Sequence, residues 1–247
     1  MKNPTSVLWQ LAKASRSSTI QDLRFQLRNG LTITVPNAPG ARFPVYEIFG
    51  DDAYDIAWMT RDIDAEASML DFGGQVGAFS LAMAHQMPQL TVNAYEASPT
   101  TAGYLQRNVD ACSMSHRITV HAEAVSGTTG SFEFIDNGNA SAHNGLTAPS
   151  GSGTLVRVPA TTFDTAVERS GGRADVVKMD IEGAEYETIL RSDPGSWSTV
   201  QRVVMEYHPH ETYTLADLVD FLGGVGLVLQ RQDPITDKLG SAWFARA

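Results

Sequence analysis

Residues 69–82, Met69-Leu-Asp-Phe-Gly-Gly-Gln-Val-Gly-Ala-Phe-Ser-Leu-Ala82, read as a buried strand that runs through a glycine turn into a helix. Met69 to Phe72 is short and mostly apolar, Gly73, Gly74 and Gly77 let the backbone turn tightly and approach a ligand, and helical composition begins at Ala78. One βα unit later, Leu90-Thr-Val-Asn-Ala-Tyr-Glu96 is another apolar run. It ends in a carboxylate, where the second strand of a doubly wound sheet places an acceptor for ribose hydroxyls.

The turn is Asp71-x-Gly73-x-x-x-Gly77, with aspartate where the dinucleotide fingerprint requires glycine. A pyrophosphate would be repelled by that charge, whereas the amino group and ribose of S-adenosylmethionine donate hydrogen bonds to an acidic loop. The pattern favours a sulfonium cofactor over NAD. An ordinary βα turn with glycines for packing is the bland alternative, and Glu96 weighs against it.

Composition narrows the partners. A chain of 247 residues, 43% hydrophobic, has the length of one catalytic-size domain with an N-terminal addition. Acids outnumber bases 28 to 18, the formal charge is -10, and no run of lysine or arginine occurs, so nucleic acid is not an expected partner. Cys112 is the only cysteine, which excludes an intrachain disulfide framework and a thiolate-rich metal site. No apolar signal core follows Met1 and no segment has bilayer-spanning length, so the expectation is a cytoplasmic protein with no membrane partner.

Along the chain, residues 5–30 have mixed helical character, and Leu31-Thr-Ile-Thr-Val35 alternates with a β period before Pro36. Residues 1–66 are expected to form an N-terminal cap or lid, and 67–247 the cofactor-binding catalytic domain. Phe43, Tyr46, Phe49, Tyr54 and Trp58, interleaved with Asp51, Asp52 and Asp55, suit a helix closing over the cofactor or, equally, the face of a homodimer. From Met69 the pattern is regular: strand 69–72, helix 76–86, strand 90–96, helix 99–111, strand 117–123. Turn-rich residues 126–154 surround a short strand at 131–135, and the 136–153 loop is expected to help close the pocket. Strand 174–180, helix 184–191, strand 200–207, helix 215–223 and a hairpin of 226–230 with 241–246 complete the chain. Such alternation predicts an α/β fold, a doubly wound, mostly parallel sheet covered on both faces.

A second carboxylate cluster lies in Lys178-Met-Asp-Ile-Glu-Gly-Ala-Glu185, at a strand end and the first turn of the next helix, the edge at which open α/β sheets bind ligands. Strand alternation places Lys178 and Asp180 on one side, and Glu182 and Glu185 can share a helix face. Each glutamate alone is as well explained by the helix dipole. Val203-Val-Met-Glu-Tyr-His-Pro209 repeats the arrangement, with Glu206 and His208 facing the same way. His208 is a candidate general base because imidazole titrates near neutrality. Asp180, Glu206 and His208 also offer oxygens and an imidazole to a divalent cation, a set only moderately suited to magnesium or manganese, and no metal ligand is assigned. His85, His116, His121, His143 and His210 read as surface or helix-end residues.

These stretches resemble the FkbM-type S-adenosylmethionine-dependent methyltransferases, within the class I, Rossmann-like methyltransferase fold. The marks are LDFGGQVGAFSLA at 70–82, AYEASP at 94–99 with LQRNV at 105–109, HAEAVSGTTGSFEF at 121–134, VPATTFD at 158–164, DVVKMDIEGAEYETIL at 175–190 and VVMEYHP at 203–209. They cover roughly residues 45 to 246 in family order. Gln75 and Ala97 depart from the commoner family residues without removing a group the cofactor needs.

The resemblance implies a seven-stranded sheet with an antiparallel last strand. It implies that Asp71, Gly73 and Gly77 line the loop beside the cofactor's methionine end and that Glu96, beside Ala97, accepts from both ribose hydroxyls. Glu123, with Ala124 and Val125, would sit near the adenine. Asp180 is expected at the cofactor too, and Lys178, Asp180, Glu182 and His208 in catalysis. The implied activity is O-methylation of a small molecule, a sugar or polyketide-like product of natural product biosynthesis; N- or C-methylation and a non-catalytic cofactor-binding relative are the competing readings.

Overall fold

The computed structural model describes residues 1–3, 5, 7, 22–37, 40–136 and 154–247. The hairpin β1 (Asp22–Gln26) and β2 (Thr32–Pro36) is followed by α1 (Phe43–Tyr46), a π turn at Glu47–Asp51 and α2 (Ile56–Thr60). Then come β3 (Ser68–Phe72), α3 (Ala78–Gln86), β4 (Thr91–Tyr95), α4 (Pro99–Ala111) and β5 (Ile118–His121). A small sheet contributes β6 (Ala124–Val125), β7 (Gly130–Asp136) and β8 (Thr154–Thr161), after which α5 (Phe163–Arg169), β9 (Val176–Met179) and α6 (Glu185–Leu190) resume the alternation. The chain finishes with β10 (Arg202–Tyr207), α7 (Leu215–Gly224), β11 (Leu227–Pro234) and β12 (Gly240–Arg246).

The main sheet has seven strands in the order β11-β12-β10-β9-β3-β4-β5. From β10 to β5 all neighbours are parallel, and β12 runs antiparallel to both β10 and β11. This is the class I arrangement expected, with the last strand reversed. The chain leaves β3 toward β4 and β5, then returns to β9 on the other side, so the switch point lies between β3 and β9. There the Asp180 amide donates to the Phe72 carbonyl at 3.0 Å, tying the two strand ends together.

Strand alternation divides the core between two faces. Met69, Val92, Val176 and Val204 pack with α3 on one face; Leu70, Phe72, Val177, Met179, Val203 and Met205 pack with Trp197 and Phe244 on the other. Each of these fully buried side chains contributes about 1.5–3 kcal/mol relative to exposure. Asp71 is paired in register with Lys178, so both charged side chains project on the same, first face, at the level of the site.

The N-terminal segment differs from expectation. Residues 22–26, inside the stretch assigned helical character, form β1, because Leu23 and Phe25 are buried while Asp22, Arg24 and Gln26 are exposed, a period of two. The hairpin docks on α4 through Asn108, whose side chain accepts from the Thr34 amide at 2.8 Å and donates to the Thr34 carbonyl at 2.9 Å. The aromatic stretch is not one helix either. Asp52 and Asp55 adopt left-handed φ of 49° and 56°, which breaks it into short turns.

The structure also holds elements beyond the sequence pattern, among them β6, β8, which pairs with β7 and β6, and α5, capped by Thr162. The strand ends 117–123 and 174–180 are also shorter than expected, so Glu123 and Asp180 lie beyond their strands. The closing loop expected at 136–153 lies outside the described residues, Asp136 excepted. Among the described residues no helix is long and apolar enough to cross a membrane.

Candidate active site

A cavity of about 380 Å³ opens along the C-terminal edge of the main sheet. Its lining comes from Gly73 to Gln75 after β3, Tyr95 to Ala97 after β4, Glu123 to Ser126 after β5, Lys178 with Asp180 to Glu182 at β9, and Glu206 and His208 at β10. The cap supplies Phe43, Pro44, Glu47, Ile48 and Tyr54, and Leu239 comes from the terminal hairpin.

At the β3 end the backbone approach requires glycine. Gly73 has φ +78°, and a Cβ there would stand 1.8 Å from the Asp180 carbonyl oxygen; one on Gly74 would stand 2.7 Å from Leu105 Cδ1. The amides of both glycines donate to the Tyr95 carbonyl, at 3.0 and 2.8 Å. Glu96 is fastened to the same turn: its carboxylate accepts from the Gln75 amide at 3.0 Å and from the Ser98 amide at 2.9 Å. Burial pushes its pKa up to about 7 against those two hydrogen bonds.

Lys178 and Asp71 form the floor. The Lys178 ammonium donates to the Gly73 carbonyl at 2.7 Å and lies 3.7 Å from both Asp71 Oδ1 and Asp180 Oδ2. Burial lowers its proton affinity, but the Asp180 and Asp71 charges outweigh this and raise it. Asp71 is fully buried, accepts from the Ser80 hydroxyl at 2.5 Å and is absent from the cavity wall. Its pKa is raised by burial, with Lys178 and Ser80 pulling the other way.

Asp180 accepts from the Tyr54 hydroxyl at 3.2 Å, across 126 residues of chain. Trp243 donates its indole N–H to the Tyr54 carbonyl at 3.1 Å and so pins the cap to the last strand. Next to Asp180, Glu182 takes a left-handed φ of 55° before Gly183 at 108°. Glu185 folds back under this turn and accepts from the Ile181 and Gly183 amides, each at 3.0 Å.

His208 lies between these two glutamates. Its Nδ1 is 3.0 Å from Glu185 Oε1 and its Nε2 is 3.6 Å from Glu182 Oε2. Burial lowers its pKa, yet the Glu185 hydrogen bond and the charges of Glu185, Asp180 and Glu182 raise it to about 9. Its neighbour Glu206 is pushed up to about 7, by burial first and then by Asp180, against His208 and Lys178. Glu47 is raised too, by burial and by Asp180. An acid-lined end therefore faces a glycine-lined one.

A family model described as the methyltransferase FkbM domain matches residues 71–230. The chain belongs to the FkbM methyltransferase family. The 31-O-demethyl-FK506 methyltransferase FkbM of Streptomyces tacrolimicus is 26% identical over 252 residues, covering 89% of this chain and 94% of its own length. Methyltransferase sdnD of Sordaria araneosa is 27% identical over 197 residues, 67% of this chain and 74% of that protein. Two solved structures share the fold. A methyltransferase FkbM from Methylobacillus flagellatus KT has TM-score 0.53 at 16% identity, over 75% of this chain and 45% of that one. A SAM-dependent methyltransferase from Agrobacterium tumefaciens has TM-score 0.52 at 10% identity, over 93% and 72%.

Within this FkbM-family enzyme, the structure gathers most of the residues singled out from sequence. Gly73, Glu96, Ala97, Glu123, Ala124, Lys178, Asp180, Glu182 and His208 all line one cavity. Asp71 and Gly77 do not. Asp71 supports Lys178 from behind, and Gly77, at φ +87°, starts α3 against Leu105. Glu123 is already paired with Arg169 at 2.8 Å. For His208 the raised pKa favours the protonated imidazole, which has no proton-accepting nitrogen, over the neutral base expected from sequence. The donor set closest to a cation site is Asp180, Glu182 and His208, with one ligand atom each within 4.8 Å, rather than the set with Glu206; a cation there would first have to displace the imidazole proton.

His121, read as a surface residue, instead stacks on Tyr95 with ring centres 4.4 Å apart and bonds Asn93 at 2.9 Å. His143 lies outside the described residues. Sequence reasoning missed Glu47 and Tyr54 as site residues, and only the aromatic density of 43–58 signalled that the cap would reach the cavity.

Proposed function

We propose that this enzyme is an S-adenosylmethionine-dependent methyltransferase that methylates a hydroxyl on a small molecule, a sugar or polyketide-like metabolite. The observation that carries the reading is the single cavity with two unlike ends. One end is bare backbone at Gly73 and Gly74 with the Glu96 carboxylate beside it; the other is walled by the cap and by the acids at β9 and β10.

The residues present fit the cofactor. Glu96 uses two hydrogen bonds to fix its own orientation, and a carboxylate has further lone pairs for ribose hydroxyls. A Cβ on Gly73 would meet the Asp180 carbonyl oxygen, so glycine there lets the β3 and β9 ends that border the cavity stay together. Ala124 and Val125 offer an apolar edge for the adenine, and Asp180 a carboxylate acceptor for the amino group. When bound, S-adenosylmethionine supplies a methyl group already activated on a sulfonium, so the protein's tasks are alignment of the acceptor oxygen and removal of its proton.

Phe43, 58% exposed, with Pro44 and Leu239 forms an apolar lip that suits the body of an acceptor, and the acids behind it suit hydroxyl donors rather than anions. The relative from Streptomyces tacrolimicus, whose name states an O-demethyl compound as its acceptor, supports transfer to oxygen. Incubation with tritiated S-adenosylmethionine and hydroxylated acceptors, followed by NMR of the labelled product, tests the proposal. It expects an O-methyl product; label on nitrogen or carbon, or none in any product, contradicts it.

A further inference from the structure

We propose that Glu206 accepts the proton of the acceptor hydroxyl during methyl transfer. The proposal rests on the O-methylation reading above and assigns the proton-accepting group within it.

The acids of the cavity differ in what already holds them. Glu96 is fixed by two backbone amides, Glu123 by Arg169, Asp180 by Tyr54 and Lys178, and Glu182 faces His208. The side chains of Glu206 and Glu47 line the same cavity and make no hydrogen bond or ion pair among the described residues. A carboxylate already engaged by donors has fewer lone pairs open to an incoming hydroxyl, and Glu96 stands at the glycine turn assigned to the cofactor, so Glu206 and Glu47 are the acids placed to take the acceptor's proton. His208 is less suited to this role, because its Nδ1 is hydrogen-bonded to the buried Glu185 and the Glu182 carboxylate, 3.6 Å from Nε2, favours the protonated ring.

Position decides between the two. Glu206 stands on β10, whose hydrogen bonds run to β9 on one side and β12 on the other; Met205 is in register with Met179 and Glu206 with Ser241. It therefore projects from the rigid sheet edge one strand from Asp180, where a base must be held within a fraction of an ångström. Glu47 sits on the π turn of the cap, a less constrained support, and its charge acts on Glu206 across the cavity.

The step balances without another reactant. The acceptor oxygen forms its bond to the methyl carbon as the carbon–sulfur bond breaks, the electron pair of that bond stays on sulfur, and the sulfonium becomes a neutral thioether. The hydroxyl proton passes to the Glu206 carboxylate and from there to solvent, to which Glu206 is partly open.

The test measures tritiated methyl transfer to 31-O-demethyl-FK506 and to methyl α-glucoside as neutral alcohol probes, with cofactor affinity followed in parallel by calorimetry. Glu206→Gln keeps the shape and removes the base: kcat is expected to fall at least about 100-fold with S-adenosylmethionine affinity within about twofold of wild type. Glu206→Ala is expected to regain rate when formate is added, as an exogenous base fills the space. Should Glu206→Gln not fold, Glu206→Asp serves, with a partial loss of kcat at unchanged cofactor affinity. A Glu206→Gln enzyme that turns over within a few-fold of wild type, or a Glu206→Ala enzyme that formate does not restore, overturns the proposal while leaving O-methylation standing. Label on nitrogen or carbon, or none in any product across hydroxylated acceptors, overturns the O-methylation reading and this proposal with it.

Discussion

His208 Nδ1 lies 3.0 Å from an oxygen of the fully buried Glu185, and that carboxylate is itself fixed by two backbone amides of the 181–183 turn. The pair links the β10 end to the turn after β9, so the imidazolium is part of the scaffold of the site.

Stability should follow that proton. With a folded pKa of about 9 against 6.5, His208 contributes stability that is fully present below pH 6.5 and is lost as pH rises through 9. The expected loss across that window is about 3 kcal/mol or less, since each pH unit between the two values is worth about 1.4 kcal/mol. Urea midpoints at pH 7.5 and 9.5 should diverge for wild type and stay closer together for His208→Gln.

Gly73→Ala should damage the cofactor end selectively. Its φ of +78° costs a side chain about 1 kcal/mol, and the added carbon meets the Asp180 carbonyl at 1.8 Å, so the β3 and β9 ends must part. S-adenosylmethionine affinity is expected to fall at least about tenfold, or about 1.4 kcal/mol, by calorimetry.

Asp71→Ala should act on folding rather than on binding. It leaves Lys178 buried with one fewer counter-charge, a change that costs about 3–5 kcal/mol when a buried pair is broken. The urea midpoint is expected to drop sharply, while cofactor affinity of the folded fraction changes less than in Gly73→Ala, because Asp71 does not reach the cavity wall.

Cofactor binding should strengthen as pH rises. Glu96 holds its proton to about pH 7, and the ribose hydroxyls need the carboxylate as acceptor. Affinity measured from pH 6 to 8 should increase in wild type, whereas Glu96→Gln should be weaker at pH 8 and flat across the range.

The glycine turn and the strand-end acids are legible in the sequence because periodicity, turn chemistry and charge coincide within a few residues. Gly73, Glu96, Asp180 and His208 each follow a short, mostly apolar run whose length and alternation with helical stretches read as a central strand. Asp71 is misplaced by sequence because alternation alone does not say whether a strand-end acid faces the ligand or a buried lysine; its register partner Lys178 decides that. β8 is hidden because Thr154 to Val156 has no buried residue and a Gly/Ser-rich stretch precedes it. Tyr54 and Glu47 carry no motif, and what makes Tyr54 part of the site is a contact spanning 126 residues, which no local pattern encodes.

The most direct test of the cofactor assignment is calorimetric titration of wild type and Glu96→Ala with S-adenosylmethionine at pH 8. Micromolar binding by the wild type that Glu96→Ala loses is the predicted result. No binding by the wild type, or equal binding by both proteins, would contradict the assignment of this cavity to the cofactor.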